Sequence, residues 1–545
     1  MRLAATILRE IPQNLKMLTF MNILSGIVTA LMLGIVSLVG KNAGSGSTSF
    51  RLVLLYVVTI MLFSASHKII LVTAAQDGER LIHTLRLRLF EAVRRTDLVT
   101  VENIGRAALQ GVLVRDTQTL AQTLPLLAIG GQQAVMLVFL AIYLAWLSPM
   151  ACAMAFGFGA IAMAVRLARR NTFVLLMRAT AGAESTVFTG LTDLLRGFKE
   201  VRMSRPRADG LVEAMGQASA AAQRINVQTK TRWGRDFAQI EAMFYTVIGV
   251  MVFVVPLLSS GYHEVVMPAT TAALFIVGPI GTISFVFPRV ADAELALANI
   301  EAMEQRLLCH DSTPQREPDD NGGRAPLPER TPTTIALDGA RFSYRNAVGE
   351  PVFAVGPLSA VFRAGEITFI TGGNGSGKST MLRLLTALMP LDSGALLVDG
   401  APVEPERMQA YRDRISAIFS DYHLSRRLYG IPDPDPVKVL AILEQLEMED
   451  KVMVCDGAFS TIDLSTGQRK RLAMVVARLA DKPVIMLDEW AADQDPHFRH
   501  VFYEELLPEL KAAGKIVICV THDDRWFDVA DHIYHMNEGR IEAIR

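Results

Sequence analysis

The sequence predicts an all-α membrane domain of six spanning helices fused to a cytoplasmic α/β domain. Three observations predict this architecture. Of the 545 residues, 51% are hydrophobic, and the long apolar runs precede residue 300, which indicates a membrane domain in this part of the chain. Residues 311–333 are rich in Pro, Asp and Gly, which is typical of a linker. Beyond them, short β-like runs alternate with helical ones, and this alternation predicts a largely parallel sheet.

Six stretches approach the roughly 20 apolar residues that a helix needs to cross a bilayer. They lie at 18–40, 52–74, 125–147, 149–169, 238–258 and 266–288. The first is too long for the apolar core of a signal peptide, so we interpret it as an uncleaved span. The sequence therefore predicts a transmembrane domain at 1–310, a linker at 311–333 and a cytoplasmic domain at 334–545.

The cations of the membrane domain fall on one side of the predicted bilayer. Arg and Lys are frequent in the two long connections between spans, whereas the short connections carry only Lys41 and Arg51 at their edges. By the positive-inside rule, both termini are then cytoplasmic. Leucines spaced among the arginines of the long connections predict helices that continue out of the membrane. The net charge of −1 and the pI of about 6.8 argue against nucleic-acid binding.

A glycine-rich loop joins the predicted strand Ile367–Thr371 to the predicted helix Ser379–Leu388. The loop fits the GxxxxGK[ST] pattern, in which backbone N–H groups wrap phosphates at the start of a helix. In this pattern the Lys378 ammonium reaches the β- and γ-phosphates, and the Ser379 hydroxyl holds Mg²⁺. The predicted nucleotide-binding residues of the loop are Gly372, Gly373, Asn374, Gly375, Ser376, Gly377, Lys378, Ser379 and Thr380.

Two acidic residues follow the predicted buried strand Val484–Leu487. Asp488 ends this strand and is predicted to hold Mg²⁺, directly or through water. Glu489 stands next to the metal carboxylate, where it can polarise an attacking water molecule, so it is predicted to act as the general base. Together with the glycine-rich loop, the pair indicates a site that hydrolyses a nucleoside triphosphate, with Lys378 and Glu489 as catalytic residues.

The element Leu464-Ser-Thr-Gly-Gln468 lies between these two motifs, and with it the chain resembles the ATP-binding-cassette (ABC) transporters. Among them it is most similar to bacterial exporters of cyclic peptides and siderophore peptides, of the pyoverdine and syringomycin type. The strings that carry this closer resemblance are Phe419–His423, Asp463–Arg471 and Asp488–Arg499. The resemblance implies an exporter-type membrane domain, a cassette ATPase domain at 334–545, ATP and Mg²⁺ as cofactors, and a place in the bacterial inner membrane among membrane lipid.

The resemblance also implies roles for single residues. Tyr344 would stack on adenine, with Phe342 as the competitor, and His522 would bind the γ-phosphate and position the water. The Leu464–Gln468 element, which we call the signature, would contact the γ-phosphate of the ATP held by the opposite subunit. Its predicted contact residues are Ser465, Gly467 and Gln468. One chain carries a single copy of each motif, so two chains must combine, and a homodimer is predicted.

Two departures from the family pattern concern communication between the domains. Ser420, followed by Asp421, stands where most cassettes have a Gln that contacts Mg²⁺. We predict that Ser420 reaches the metal through water or that Asp421 binds it, while capping of the following turn is the alternative for Asp421. The usual element before the signature is also absent. By position, Arg115–Thr119 and Met203–Arg207 are the candidates for the short coupling helices that the family rests on its ATPase domain.

These observations favour ATP-driven export of a cyclic or nonribosomal peptide, such as a siderophore precursor or lipopeptide, from the cytoplasm. One alternative is a lipid flippase or multidrug exporter. Another is an ATP-gated channel or a regulator without transport, which Glu489 and His522 disfavour because they predict turnover. Polar residues within the spans, which usually face a cavity or another helix, are His67, Lys68, Gln132, Gln133 and Glu241.

Overall fold

The computed structural model describes residues 6, 9, 12–42, 50–168, 170–254, 266–309, 331–345, 350–431 and 433–544. The chain divides into two compact units. The first comprises Met1–Arg94 and Ile104–Arg306, and the second comprises Arg95–Asn103 and Leu307–Arg545. Most of the predicted linker, 311–333, lies outside the described residues.

Long helices dominate the N-terminal part of the chain. They are α1 Pro12–Asn42, α2 Phe50–Arg95, α3 Leu98–Ile104, α4 Arg106–Gln110, α5 Thr117–Leu147, α6 Pro149–Ala168, α7 Arg170–Arg196, α8 Phe198–Met203, α9 Arg205–Phe253 and α10 Val266–Leu308. A π-helical turn, Gly111–Asp116, joins α4 to α5. Helix α2 runs without a break from its apolar half into its arginine-rich half, as the leucine spacing in the sequence predicts.

Within the described residues, five helices are long and apolar enough to cross a membrane. They contain the predicted spans at 18–40, 52–74, 125–147 and 266–288, and the predicted span at 238–258 up to Phe253. Residues 255–258 lie outside the described part of the chain. The predicted span at 149–169 corresponds to α6, whose apolar part, Pro149–Ile161, is shorter than the other five.

Small side chains allow these helices to approach closely. Buried alanines on α6 and α10, such as Ala151 and Ala272, pack with Leu140 and Met251 in one apolar core. A Cβ added at Gly26 of α1 would lie 2.8 Å from the Phe139 ring of α5, so only glycine fits there. A polar network crosses the same region: Gln132 Nε2 donates to Ser25 Oγ at 2.5 Å, and Gln132 Oε1 lies 2.9 Å from His67 Nδ1. It ties α1, α2 and α5 together.

The short element expected at Arg115–Thr119 is a wrong prediction. These residues lie inside the continuous helical run from Gly111 to Leu147. The short helix of this connection is α3, most of which belongs to the second unit. Asp97 caps α3, because its Oδ1 accepts from Thr100 N at 2.7 Å, and Gly105, with φ of +80°, stands directly after it. The other candidate, Met203–Arg207, contains a break between α8 and α9 at Ser204, which is extended.

The second unit holds two main β-sheets. The strands are β1 Thr334–Arg345, β2 Pro351–Arg363, β3 Glu366–Gly372, β4 Ser393–Val398, β5 Ala401–Pro402, β6 Ile415–Ile418, β7 Val454–Cys455, β8 Ala458–Phe459, β9 Val484–Asp488, β10 Ile516–Val520, β11 His532–Asn537 and β12 Arg540–Ile544. The α-helices are α11 Lys378–Leu385, α12 Met408–Arg412, α13 Pro436–Gln445, α14 Thr466–Ala480, α15 Pro496–Val501 and α16 Leu507–Ala512. The fold is therefore the predicted all-α membrane domain joined to an α/β domain.

The predicted parallel sheet has the order β12-β11-β3-β10-β9-β6, and β12 alone pairs antiparallel. An antiparallel sheet of order β2-β1-β4-β5, which the sequence did not predict, packs beside it. Strands β3, β9 and β10 are adjacent and almost wholly buried. Because the carboxyl ends of parallel strands meet at one edge, Gly372, Asp488 and His522 come together there.

Candidate functional site

The glycine-rich loop Gly372–Thr380, which we call the phosphate loop, adopts backbone angles that residues other than glycine avoid. Gly372, Gly375 and Gly377 have φ of +138°, +77° and +102°. A Cβ at Gly372 would lie 2.1 Å from the Met536 carbonyl oxygen, which leaves no room for a side chain. Helix α11 begins directly after Gly377 without a side-chain cap. The start of α11 can therefore offer backbone N–H groups to an anion.

Lys378, the first residue of α11, is 5% exposed. Its Nζ donates to the carbonyl oxygens of Gly372 at 3.0 Å and Gly373 at 2.9 Å. Burial lowers the pKa of this ammonium, and the charges of Glu489 and Asp488 oppose that effect. Phosphate oxygens would supply a stronger, charge-assisted partner than the two carbonyls. The ammonium thus lies where the sequence predicts phosphate binding.

Asp488 provides the strongest indication of a metal site. It is 1% exposed; its Oδ2 accepts from Ser379 Oγ at 3.1 Å and from Ser420 N at 3.4 Å. Its Oδ1 is buried and has no hydrogen-bond partner within the described residues. A buried carboxylate oxygen without a partner is costly, and a hard cation such as Mg²⁺ would satisfy it. Asp488 and Ser379 therefore fit the predicted metal, whereas Ser420 reaches Asp488 through its backbone.

Asp421 points to a different partner. Its carboxylate is 68% exposed and lies 3.8 Å from Arg383 on α11. The structure thus places an arginine beside the side chain for which the sequence suggests either a metal or a capping role. The metal role of Asp421 stays a prediction.

Glu489 and His522 face each other across the edge of the sheet. Glu489 Oε1 lies 3.2 Å from His522 Nε2, and both side chains are partly exposed. Glu489 has φ of +50°, an uncommon conformation for a non-glycine residue. Its N–H donates to Val520 O at 3.1 Å, which fixes the backbone on β10. The pair can hold and orient a water molecule near the phosphate loop.

Lys470 is a residue of this site that sequence reasoning missed. Its side chain is 4% exposed, and its Nζ donates to the Glu489 carbonyl oxygen at 2.7 Å and lies 2.8 Å from Asp493 Oδ2. Lys470 is therefore a second anchor for the strained backbone of Glu489. Its partners, Glu489 and Asp493, lie about twenty residues further along the chain, and sequence spacing gives no signal for such contacts.

The signature begins α14 with a complete cap. Ser465 Oγ accepts from Gln468 N at 3.3 Å, and Gln468 Oε1 accepts from Ser465 N at 3.1 Å, which is a capping box. A Cβ at Gly467 would lie 2.7 Å from the Asp493 carbonyl oxygen, so glycine is required. The signature is thus packed against the segment that follows Glu489.

Arg471 of α14 makes further contacts with the segment that follows Glu489. Its guanidinium donates to Gln494 Oε1 at 3.0 Å and to Asp495 Oδ2 at 2.8 Å, and it covers the Phe498 ring. Asp495 also caps α15, and the hydrogen bond from Phe498 N, with Arg471 beside it, holds the pKa of Asp495 below its usual range. The Asp495 carboxylate therefore stabilises the end of this segment.

A cavity of about 450 Å³ opens beside the phosphate loop. Its walls are Val352, Phe353, Ala354, Gly373, Asn374, Gly375, Ser376, Asn537 and Glu538. Tyr344 is not among them; it is half-buried, with Oη 3.3 Å from Thr380 Oγ1, and it pairs with Phe353 across β1 and β2. Phe342 is buried in the core. Phe353, Asn537 and Glu538 were missed, because sequence spacing does not reveal which strands flank the loop.

Comparisons with known proteins agree with this geometry. The family described as "ABC transporter" matches residues 355–492. "ATP-binding protein SyrD" of Pseudomonas syringae pv. syringae is 31% identical, covering 86% of this chain and 83% of that protein. An "ATP-dependent lipid A-core flippase" of Alkalilimnicola ehrlichii is 24% identical, covering 86% and 80%. A solved structure described as a bacterial Atm1-family ABC exporter with ATP bound has a TM-score of 0.77 at 16% identity, covering 99% and 95% of the two chains.

Proposed function

The chain belongs to the ABC transporters, and we propose that its cargo is a cyclic or nonribosomal peptide exported from the cytoplasm across the inner membrane. The protein is an ATP-driven, multi-pass ABC exporter of that membrane, and ATP with Mg²⁺ drives it. A siderophore precursor or a lipopeptide is the cargo class that we favour. In this proposal both termini are cytoplasmic, because the arginine-rich halves of the long helices lie on that side.

The catalytic part of the proposal follows from the site. ATP would lie on the phosphate loop with Lys378 at its phosphates, and Tyr344 or Phe353 would flank the base. Mg²⁺, held by Ser379 and Asp488, would neutralise phosphate charge. Glu489 would accept a proton from the attacking water, and His522 would hold that water and the γ-phosphate. The observation that carries this assignment is the buried Asp488 Oδ1, which has no hydrogen-bond partner among the described residues and lies beside Ser379 and Glu489.

A dimer completes the site in this proposal. The exporter fold acts as a half-transporter, and the signature of one chain would close the ATP site of the other. We propose two copies of this chain. The capping box supports the idea, because it leaves the Ser465 hydroxyl proton available to a phosphate oxygen from outside the chain.

The peptide cargo is proposed from sequence similarity. The strings Phe419–His423, Asp463–Arg471 and Asp488–Arg499 resemble the cyclic-peptide branch, and the similarity to SyrD extends over the membrane domain as well. The flippase relative also covers most of the chain, so a lipid is the second candidate cargo.

Inverted membrane vesicles that contain the chain would test the cargo. We expect ATP-dependent uptake of a cyclic lipopeptide by the wild-type chain and none by Glu489→Gln. A fluorescent phospholipid and a lipid A analogue serve as competing probes. Translocation of either lipid without peptide uptake would replace the peptide proposal with the flippase one. A deletion strain should retain the peptide inside its cells.

A further inference from the structure

One buried phenol holds the loop that carries His522 from both sides. Tyr503 Oη lies 2.6 Å from Thr521 Oγ1 and donates to Asp523 Oδ2 at 3.2 Å. These two partners directly flank His522 in the sequence. We propose that Tyr503 is a positioning residue for His522, because it fixes the backbone on both sides of the imidazole that faces Glu489. The inference rests on the catalytic roles proposed above for His522 and Glu489.

The hydrogen bonds on either side of the histidine close into a ring. An ionised carboxylate only accepts, so the Tyr503 hydroxyl donates to Asp523 and accepts from the Thr521 hydroxyl. Asp523 N donates to Thr521 Oγ1 at 3.1 Å, which completes the ring. Thr521 N also donates to Ile370 O at 3.2 Å, so the ring is attached to β3, the strand that leads into the phosphate loop. Removing the phenol hydroxyl would open this ring.

A π-helical turn, Phe502–Leu506, places the Tyr503 phenol at this position. The Phe502 ring stacks on Trp490 with ring centroids 4.6 Å apart, and the Tyr503 ring stacks on Trp526 with centroids 5.3 Å apart. The two tryptophans belong to the segments that follow the two proposed catalytic side chains, and π-helical turns are frequent at functional sites. Burial raises the pKa of the Tyr503 hydroxyl, so the phenol remains a hydrogen-bond donor at neutral pH.

Arg499 links the ring to the segment that follows Glu489. Its Nε donates to Gln494 O at 3.0 Å, and its Nη2 donates to Ala492 O at 2.9 Å. Its Nη1 lies 3.7 Å from Asp523 Oδ1, so one guanidinium contacts both parts of the site. The ring and the segment of the general base therefore keep a fixed separation, which a defined position of the attacking water requires.

The experiment uses the full chain in lipid nanodiscs and measures kcat and KM for ATP. Tyr503→Phe removes the hydroxyl and keeps the stacked ring, so kcat should fall about fivefold to twentyfold while KM changes by less than about twofold. Tyr534→Phe is the matched control, because its Oη also makes two hydrogen bonds, with Val361 N at 2.9 Å and Val361 O at 3.1 Å, which join β11 to β2. Both variants should lower the thermal denaturation temperature, but Tyr534→Phe should retain kcat. A normal kcat in Tyr503→Phe, or an equal loss of kcat in Tyr534→Phe, would overturn the inference.

Double-mutant cycles test whether the phenol acts through His522. Tyr503→Phe should change kcat by less than about twofold in an Asp523→Ala chain, because the ring is already open there. It should also add nothing to the loss in a His522→Ala chain, measured by single-turnover hydrolysis. Losses that multiply in either background would show that Tyr503 acts elsewhere and would overturn the inference alone. A His522→Ala chain with wild-type kcat would contradict the role proposed for His522, and the inference with it.

Discussion

The phosphate loop and the signature are both glycine-containing turns at the start of a helix, yet their hydrogen bonding differs. Helix α11 begins at Gly377 without a side-chain cap, and Asp488 Oδ1 and Ser376 Oγ nearby are buried without partners in the described part of the chain. Helix α14 begins with a reciprocal cap between Ser465 and Gln468. Buried polar atoms such as these two indicate a site that gains stability by binding a ligand. The helix with the reciprocal cap is rigid before any ligand arrives. The phosphate loop is therefore the part that binds a ligand, and the signature is a preformed contact surface.

The largest expected effect is on the phosphate-loop side. Glu489→Gln keeps the size and backbone contacts of the side chain but removes the base, so kcat for ATP should fall about 10²- to 10⁴-fold with ATP affinity retained. Steady-state ATPase activity and a nucleotide-binding titration would measure both quantities. Glu504→Gln, an exposed glutamate outside the site, is the control. Near-normal turnover would remove Glu489 from its assigned role.

Mixed dimers test whether the phosphate loop of one chain and the signature of the other form one ATP site. Lys378→Ala removes the phosphate contact, and Ser465→Asp keeps an N-cap but replaces the hydroxyl donor with a negative charge. Each variant alone should be inactive. An equal mixture should recover about a quarter of wild-type ATPase activity, because half of the dimers contain one intact composite site. Exchange of subunits is checked by affinity tags, and no recovery among confirmed mixed dimers contradicts the composite site.

A moderate effect on turnover is expected at Lys470, which connects the signature helix to Glu489. Lys470→Met preserves length but removes the donor to the Glu489 carbonyl, so kcat should fall about threefold to tenfold while KM stays constant. Lys470→Arg, which keeps a donor, should recover part of the loss. Retained KM with reduced kcat would separate positioning of Glu489 from a general loss of folding, which thermal denaturation monitors independently. Equal kcat in wild type and Lys470→Met would refute the anchor.

The smallest effect concerns Asp421. If its carboxylate also contacts the metal, Asp421→Asn should raise the Mg²⁺ concentration for half-maximal hydrolysis about twofold to threefold. Ser420→Ala should leave this concentration unchanged, because Ser420 contacts Asp488 through its backbone. Coinciding Mg²⁺ titrations of Asp421→Asn and wild type would confine Asp421 to its pair with Arg383.

Local patterns predicted the parts of this molecule that local chemistry determines. The glycine-rich loop, Asp488 with Glu489, and strands β3 and β9 follow from short strings with strong steric or hydrophobic requirements. The roles of Lys470 and Tyr503 depend on partners far along the chain, and spacing in a sequence does not report those. The short helix of the first long connection was misplaced because α3 is shorter than two helical turns and therefore too short for a clear amphipathic period.

The membership of Arg95–Asn103 in the second unit has a consequence for synthesis. Ribosomes make this segment about two hundred residues before Leu307, which at about 5–20 residues per second is a delay of about 10–40 seconds. During that interval the apolar residues Leu98 and Val99 have no core to cover them. The nascent chain thus carries an exposed apolar segment until the C-terminal half has been synthesised. A C-terminal fragment that begins after this segment would lack it. The part of the apolar core that Leu98 and Val99 cover would then be exposed.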